Sequence, residues 1–126
     1  MGTVLLVEDS LTDTEVLTRY LGQAGFTVIN VDNGEEALVK LQTQKPSLII
    51  LDVILPGQSG FELCHEIKTN DKTKQIPVII CSSKGTEADK IWGSMLGADA
   101  YLTKPVELQQ LMEVLGRLVP YKNAAT

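Results

Sequence analysis

Asp52 directly follows the apolar run Leu48-Ile49-Ile50-Leu51, and two other segments repeat that arrangement. Val4-Leu5-Leu6-Val7 runs into Glu8-Asp9, and Ala100-Tyr101-Leu102 runs into Thr103-Lys104-Pro105. Near-continuous Val, Ile and Leu is the pattern of a buried strand, so each polar group stands at a strand's C-terminal end. If the strands are parallel, three acids and one lysine gather at one edge of a sheet. Two unit charges ~4 Å apart repel by ~1 kcal/mol in water, and by several times more where water is excluded. The collected carboxylates therefore predict a bound metal cation that neutralises them.

The elements that must hold these groups alternate along the chain. Strand patterns cover about 3–8, 27–31, 47–52, 76–81 and 99–102. A helix is expected from an N-cap at Ser10 to about Ala24, with Val16, Leu17, Tyr20, Leu21 and Ala24 on one face and Gly25 ending it. The second, over 34–43, turns Ala37, Leu38 and Leu41 inward. The third, over 59–70, buries Phe61, Leu63, Cys64 and Ile67. The fourth, over 86–96, carries Ala88, Ile91, Trp92, Met95 and Leu96 as its inner seam, then Gly97. The last, over 107–119, shows Leu108, Leu111, Met112, Leu115, Leu118 and Val119. Five βα units with short connections predict a parallel sheet covered by helices on both faces. In such a sheet ligands bind beyond the carboxyl ends of the strands, where the winding reverses. With strand order 2-1-3-4-5 that point falls between Glu8-Asp9 and Asp52.

Bulk properties narrow the class. The 126 residues suit one domain with one good core. The expected division is a single domain over 1–119 and a short C-terminal tail over 120–126. A net charge of -5 and a pI near 4.8 argue against a nucleic-acid partner, which would need a basic face. Cys64 and Cys81 are too few for a disulfide framework and read as free buried thiols. No apolar run reaches the ~20 residues of a membrane span, and Met1-Gly2-Thr3 leads straight into a strand. A cytoplasmic protein without membrane insertion is expected.

Over residues 3–119 the chain resembles the receiver domain of two-component response regulators. The matching residues are Glu8-Asp9, Asp52, Pro56 and Gly60, Ser82, and the stretch Gly97-Ala98-Asp99-Ala100-Tyr101-Leu102-Thr103-Lys104-Pro105. The resemblance implies an α/β doubly wound (βα)5 flavodoxin-like sandwich with sheet order 2-1-3-4-5. It implies that Asp52 accepts a phosphoryl group from a histidine kinase. Mg²⁺ would be held by Glu8, Asp9, Asp52 and the backbone carbonyl of Ile54. Lys104, before a proline in cis linkage, would hold one phosphoryl oxygen and the Ser82 hydroxyl another. Ser82 and Tyr101 would act as the switch, and Ile54 and Lys84 would tune phosphoryl lifetime. The output face would be the last two helices with the strand between them. Such a protein is a signalling phosphoacceptor and not an enzyme acting on another substrate. The segment Asp89-Lys90-Ile91-Trp92-Gly93 is similar to stand-alone receivers of chemotaxis-like systems driving pilus twitching or phototaxis. A downstream motility or signalling protein is then the partner; a phosphate sink or a constitutive docking module is the alternative.

Simpler readings stand beside these. Glu8 and Asp9 could cap the first helix, whose N-terminus favours acids. Ser82 could be a turn residue, Lys104 a solvated surface lysine, and Tyr101 a half-buried strand tyrosine. Asp13, one turn into the helix, reads as a capping acid rather than a ligand, His65 as a surface residue, and Trp92 as part of a core seam. A small Mg²⁺-dependent phosphatase would need a second acid where Ile54 stands. A flavodoxin-type protein would need a phosphate loop where the acids stand.

Overall fold

The computed structural model describes residues 2–119, so the expected tail over 120–126 lies outside the described residues. Five strands, β1 (Thr3–Val7), β2 (Thr27–Val31), β3 (Leu48–Leu51), β4 (Val78–Ser82) and β5 (Ala100–Thr103), alternate with five helices. The helices are α1 (Leu11–Gln23), α2 (Gly34–Thr43), α3 (Gly60–Thr69), α4 (Glu87–Met95) and α5 (Leu108–Leu118). All strand pairs are parallel, in the order β2-β1-β3-β4-β5. This is the doubly wound flavodoxin-like sandwich expected, and its winding reverses between β1 and β3.

Successive strand side chains point to opposite faces. The apolar runs therefore divide alternately between two cores. Leu5, Val7, Ile49, Leu51, Val78 and Ile80 pack with Ala37, Leu63, Cys64 and Ile67 from α2 and α3. Val4, Leu6, Leu48, Ile50, Ile79, Cys81 and Leu102 pack with Leu17, Leu21, Leu111 and Leu115 from α1 and α5. Burying a Leu or Ile side chain contributes ~1.5–3 kcal/mol, which makes the register hard to slip. Parity then aims the polar groups. Glu8, Asp52 and Lys104 each lie two residues beyond a strand residue of the second core, namely Leu6, Ile50 and Leu102. All three thus emerge on the α1/α5 side of the sheet edge.

Local signals set the element ends. Ser10 caps α1, accepting the Asp13 N–H at 3.3 Å. The chain then leaves that helix through Gly25, whose φ of 92° places it in the left-handed region that favours glycine. β4 and β5 run one residue further than expected, to Ser82 and Thr103.

The inward seam expected for α4 is overturned. Ile91, Trp92 and Met95 are 59%, 47% and 71% exposed, and Ala88 is exposed as well. The helix meets the sheet through Gly93, where an added Cβ would lie 3.0 Å from the Tyr101 ring and 3.1 Å from Ile80. An apolar periodicity shows that one face is apolar, not which direction that face takes. Here the small residue lets the helix axis approach the sheet, and the large residues are rotated outward.

Candidate functional site

The α1/α5 side of the β1–β3 edge opens into a depression of about 470 Å³, lined by Glu8, Asp9, Ser10, Asp13, Asp52, Ile54, Ser83, Lys104 and Pro105. Its charged floor is almost dry, with Glu8 only 2% and Asp52 6% exposed. Asp9 is exposed beside them. The β3–α3 connection is drawn in tightly by Gly60, where a Cβ would stand 1.9 Å from the Asp52 carbonyl oxygen, so any side chain there would push the helix off the strand end. Gly60 N–H also donates to the Val53 carbonyl at 2.8 Å.

Lys104 Nζ stands among the carboxylates. It donates to Glu8 Oε1 at 2.7 Å, Asp13 Oδ2 at 2.7 Å and Asp52 Oδ2 at 2.8 Å. Backbone donors take other oxygens: Ser10 N–H reaches Glu8 Oε2 at 3.1 Å, and Ile54 N–H reaches Asp52 Oδ1 at 3.1 Å. Burial pushes the Glu8 pKa up, against the pull of the Lys104 and Ser10 donors. Burial also draws Lys104 down, but hydrogen bonds to Asp13, Asp52 and Glu8 more than offset it and hold the ammonium charged well beyond neutral pH. The peptide bond between Lys104 and Pro105 is cis.

The expected residues divide into those that meet and those that do not. Glu8, Asp52 and Lys104 meet directly, with Asp9 and Ile54 on the rim. Ser82 is fully buried, and its hydroxyl accepts the Lys84 N–H at 3.2 Å. Ser83 lines the depression in its stead. Tyr101 is half-buried over α4, its hydroxyl donating to the Lys84 carbonyl, and burial pushes its pKa up to about 12. Lys84 Nζ turns away toward Asp89 at 4.0 Å. His65 is exposed on α3, as expected.

Asp13 corrects the sequence reading. Only its backbone N–H takes part in the α1 cap, donating to the Ser10 hydroxyl, while its carboxylate crosses to Lys104. The signal was its place in the first turn, beside the edge that carries Glu8 and Asp9. The reading of Lys104 as a solvated surface residue also falls, since its side chain is 13% exposed. Cys64 and Cys81 are free and buried; burial pushes their thiols up to about 11 and about 12, which leaves them protonated and inert.

The donor chemistry suits a hard cation. Among the described residues, no three acidic, cysteine or histidine side chains converge tightly enough to enclose an ion unaided. The reason is visible: Glu8, Asp13 and Asp52 face the ammonium between them. Asp9, Asp52 and the backbone of Ile54 still offer oxygen at an open, solvent-accessible rim. That fits Mg²⁺, which keeps several waters and takes few protein ligands.

Residues 4–116 match the response regulator receiver domain, and the chain belongs to that family. Protein PilH of Pseudomonas aeruginosa is 34% identical over 119 residues, covering 94% of this chain and 98% of its own. Several other curated relatives are about twice as long as their matched segment. The chemotaxis response regulator CheY4 of Vibrio cholerae superposes with a TM-score of 0.86 at 30% identity, covering 94% of this chain and 99% of that one. The receiver domain of sensor histidine kinase PA1611 of Pseudomonas aeruginosa, with a magnesium ion in its active-site cleft, gives a TM-score of 0.84 at 26% identity over 93% and 96% of the two chains. Among the described residues, no helix is long and apolar enough to cross a membrane.

Proposed function

We propose that this protein takes a phosphoryl group from the phosphohistidine of a kinase onto Asp52 and, so modified, controls a partner in a taxis or pilus-motility circuit of the cytoplasm. One observation carries the reading: a nearly buried carboxylate lies at the floor of an open depression, held by an ammonium on one oxygen and a backbone N–H on the other. These contacts orient the carboxylate and leave room for an in-line donor above it. Asp52 attacks phosphorus, the bond from phosphorus to the imidazole nitrogen breaks, and an acyl phosphate results. Lys104 follows the charge onto a phosphoryl oxygen as a flexible point cation.

Asp9, Asp52 and the Ile54 carbonyl would hold Mg²⁺, with Glu8 shaping the charge behind them. When bound, that ion neutralises the phosphoryl oxygens and the acids together. The Ser82 hydroxyl, released from the Lys84 N–H, would turn toward the phosphoryl group. Tyr101, bonded to the Lys84 carbonyl, would register the same loop movement on α4. The outward apolar stripe Ile91, Trp92 and Met95 then supports α4, β5 and α5 as the output face. Residues 1–119 act as one receiver domain in this reading.

Incubation with acetyl phosphate and Mg²⁺, followed by intact mass spectrometry, tests the proposal. One phosphoryl mass is expected on the wild type and none on Asp52→Asn, which should fold normally. A label surviving that substitution excludes Asp52 as the acceptor.

A further inference from the structure

We propose that Asp13 is a positioning residue that holds the Lys104 ammonium in the resting protein and competes with a phosphoryl group for it. The inference rests on Asp52 as the phosphoacceptor and concerns how that site is restrained.

An ammonium has three N–H donors and no acceptor. In this structure all three are engaged, by Glu8, Asp13 and Asp52. A phosphoryl oxygen can be gripped fully only if a carboxylate gives way, and the three are not equal. The Glu8 side chain is 1% exposed with its other oxygen on the Ser10 N–H, so release would strand a buried charge. The Asp52 side chain is 7% exposed and itself becomes the phosphoryl carrier. Asp13 is 36% exposed, and a carboxylate released there returns to water. It is the partner built to let go. While it holds on, it draws Nζ toward α1 and keeps a negative charge beside the position of an incoming dianion. Neutralising it should free Lys104 for the phosphoryl group.

Beryllofluoride, formed from Be²⁺ and fluoride, serves as the probe, titrated in saturating Mg²⁺ and followed by ¹⁹F NMR. Asp13→Asn should bind it about threefold to tenfold more tightly, the range for one partly exposed charged contact. Asp13→Glu, which keeps the charge and the reach, should restore wild-type affinity. Glu15→Gln removes the same charge from an exposed position on α1 and should change nothing. In protein with isotope-labelled lysine, the Lys104 Cε signals should move in Asp13→Asn before any probe is added and stay in place in Glu15→Gln. The cap on α1 uses the Asp13 backbone, so these variants keep the fold, which circular dichroism checks. Unchanged or weaker binding in Asp13→Asn overturns the proposal. So does an equal gain in Glu15→Gln, or a gain with unmoved Lys104 signals, which would be plain charge repulsion. If wild type binds no beryllofluoride and takes no label, the phosphoacceptor reading falls and this inference falls with it; wild-type labelling with an unresponsive Asp13→Asn removes the inference alone.

Discussion

Ile54 shows what one side chain decides at this site. Its backbone N–H fixes Asp52 Oδ1, while its side chain is 54% exposed on the rim of the depression. Hydrolysis of an acyl phosphate needs a water in line with the bond to phosphorus, and an aliphatic group can neither donate nor accept a hydrogen bond to hold it. Lys84 Nζ lies 4.0 Å from Asp89, and of the two residues expected to shield the site it is Ile54 that lines the depression. Ile54→Asn should therefore lose its phosphoryl group about threefold to tenfold faster, or ~0.7–1.4 kcal/mol in barrier height. Decay of labelled protein in excess Mg²⁺ measures this, and equal rates would remove Ile54 from water control. At this scale residue type was a good guide, because a strand-end carboxylate or lysine has few places to point. Asp13 was misjudged because a first-turn acid is ordinarily satisfied by its own helix, and nothing local reveals a lysine ninety-one positions away.

The helices show the limit of periodicity. α5 turns Leu111 and Leu115 inward as expected, and α3 does the same with Leu63, Cys64 and Ile67. α4 inverts the rule by packing through Gly93 and presenting Trp92 to solvent. Its N-terminus is locally well specified: Thr86 and Asp89 form a capping box, in which Asp89 N–H reaches Thr86 Oγ1 at 3.1 Å. The hydrogen bonds to Thr86 are the main cause of a lowered Asp89 pKa. The consequence for stability is the reverse of what residue size suggests. Trp92→Ala should cost under ~1 kcal/mol, well below the ~3–5 kcal/mol of a buried Trp. Gly93→Ala should cost ~1–3 kcal/mol, since its methyl group must displace Tyr101 and Ile80. Urea unfolding of the two variants tests this ordering, and a larger loss in Trp92→Ala would mean that α4 packs the other way round.

Across the whole molecule, burial of charge at the sheet edge links the site to stability. Desolvation raises the Glu8 pKa above its ordinary 4.5 despite the Lys104 and Ser10 donors. A carboxyl with a raised folded pKa binds its proton more tightly folded than unfolded. Its contribution is therefore fully present below the unfolded value and is lost as pH rises through the folded one. In EDTA, Glu8→Gln should melt higher than wild type at pH 7, and the difference should shrink as pH falls toward 4.5. Thermal melts across that range measure it, and a variant less stable at neutral pH would show that the Lys104 pair outweighs desolvation. The sequence by itself determined the alternation of strands and helices, the parallel sheet, and the arrival of Glu8, Asp52 and Lys104 at one edge. Those follow from local runs of apolar residues, the period of two along a strand, and the strand twist that favours right-handed crossovers between parallel strands. Tertiary structure alone decided that Lys104 is enclosed by three carboxylates, that Ser82 rests against its own loop, and that α4 shows its apolar face to water. Each of these depends on distances between distant segments and on the rotation of a helix about its axis, and neither quantity is written in the order of neighbouring residues.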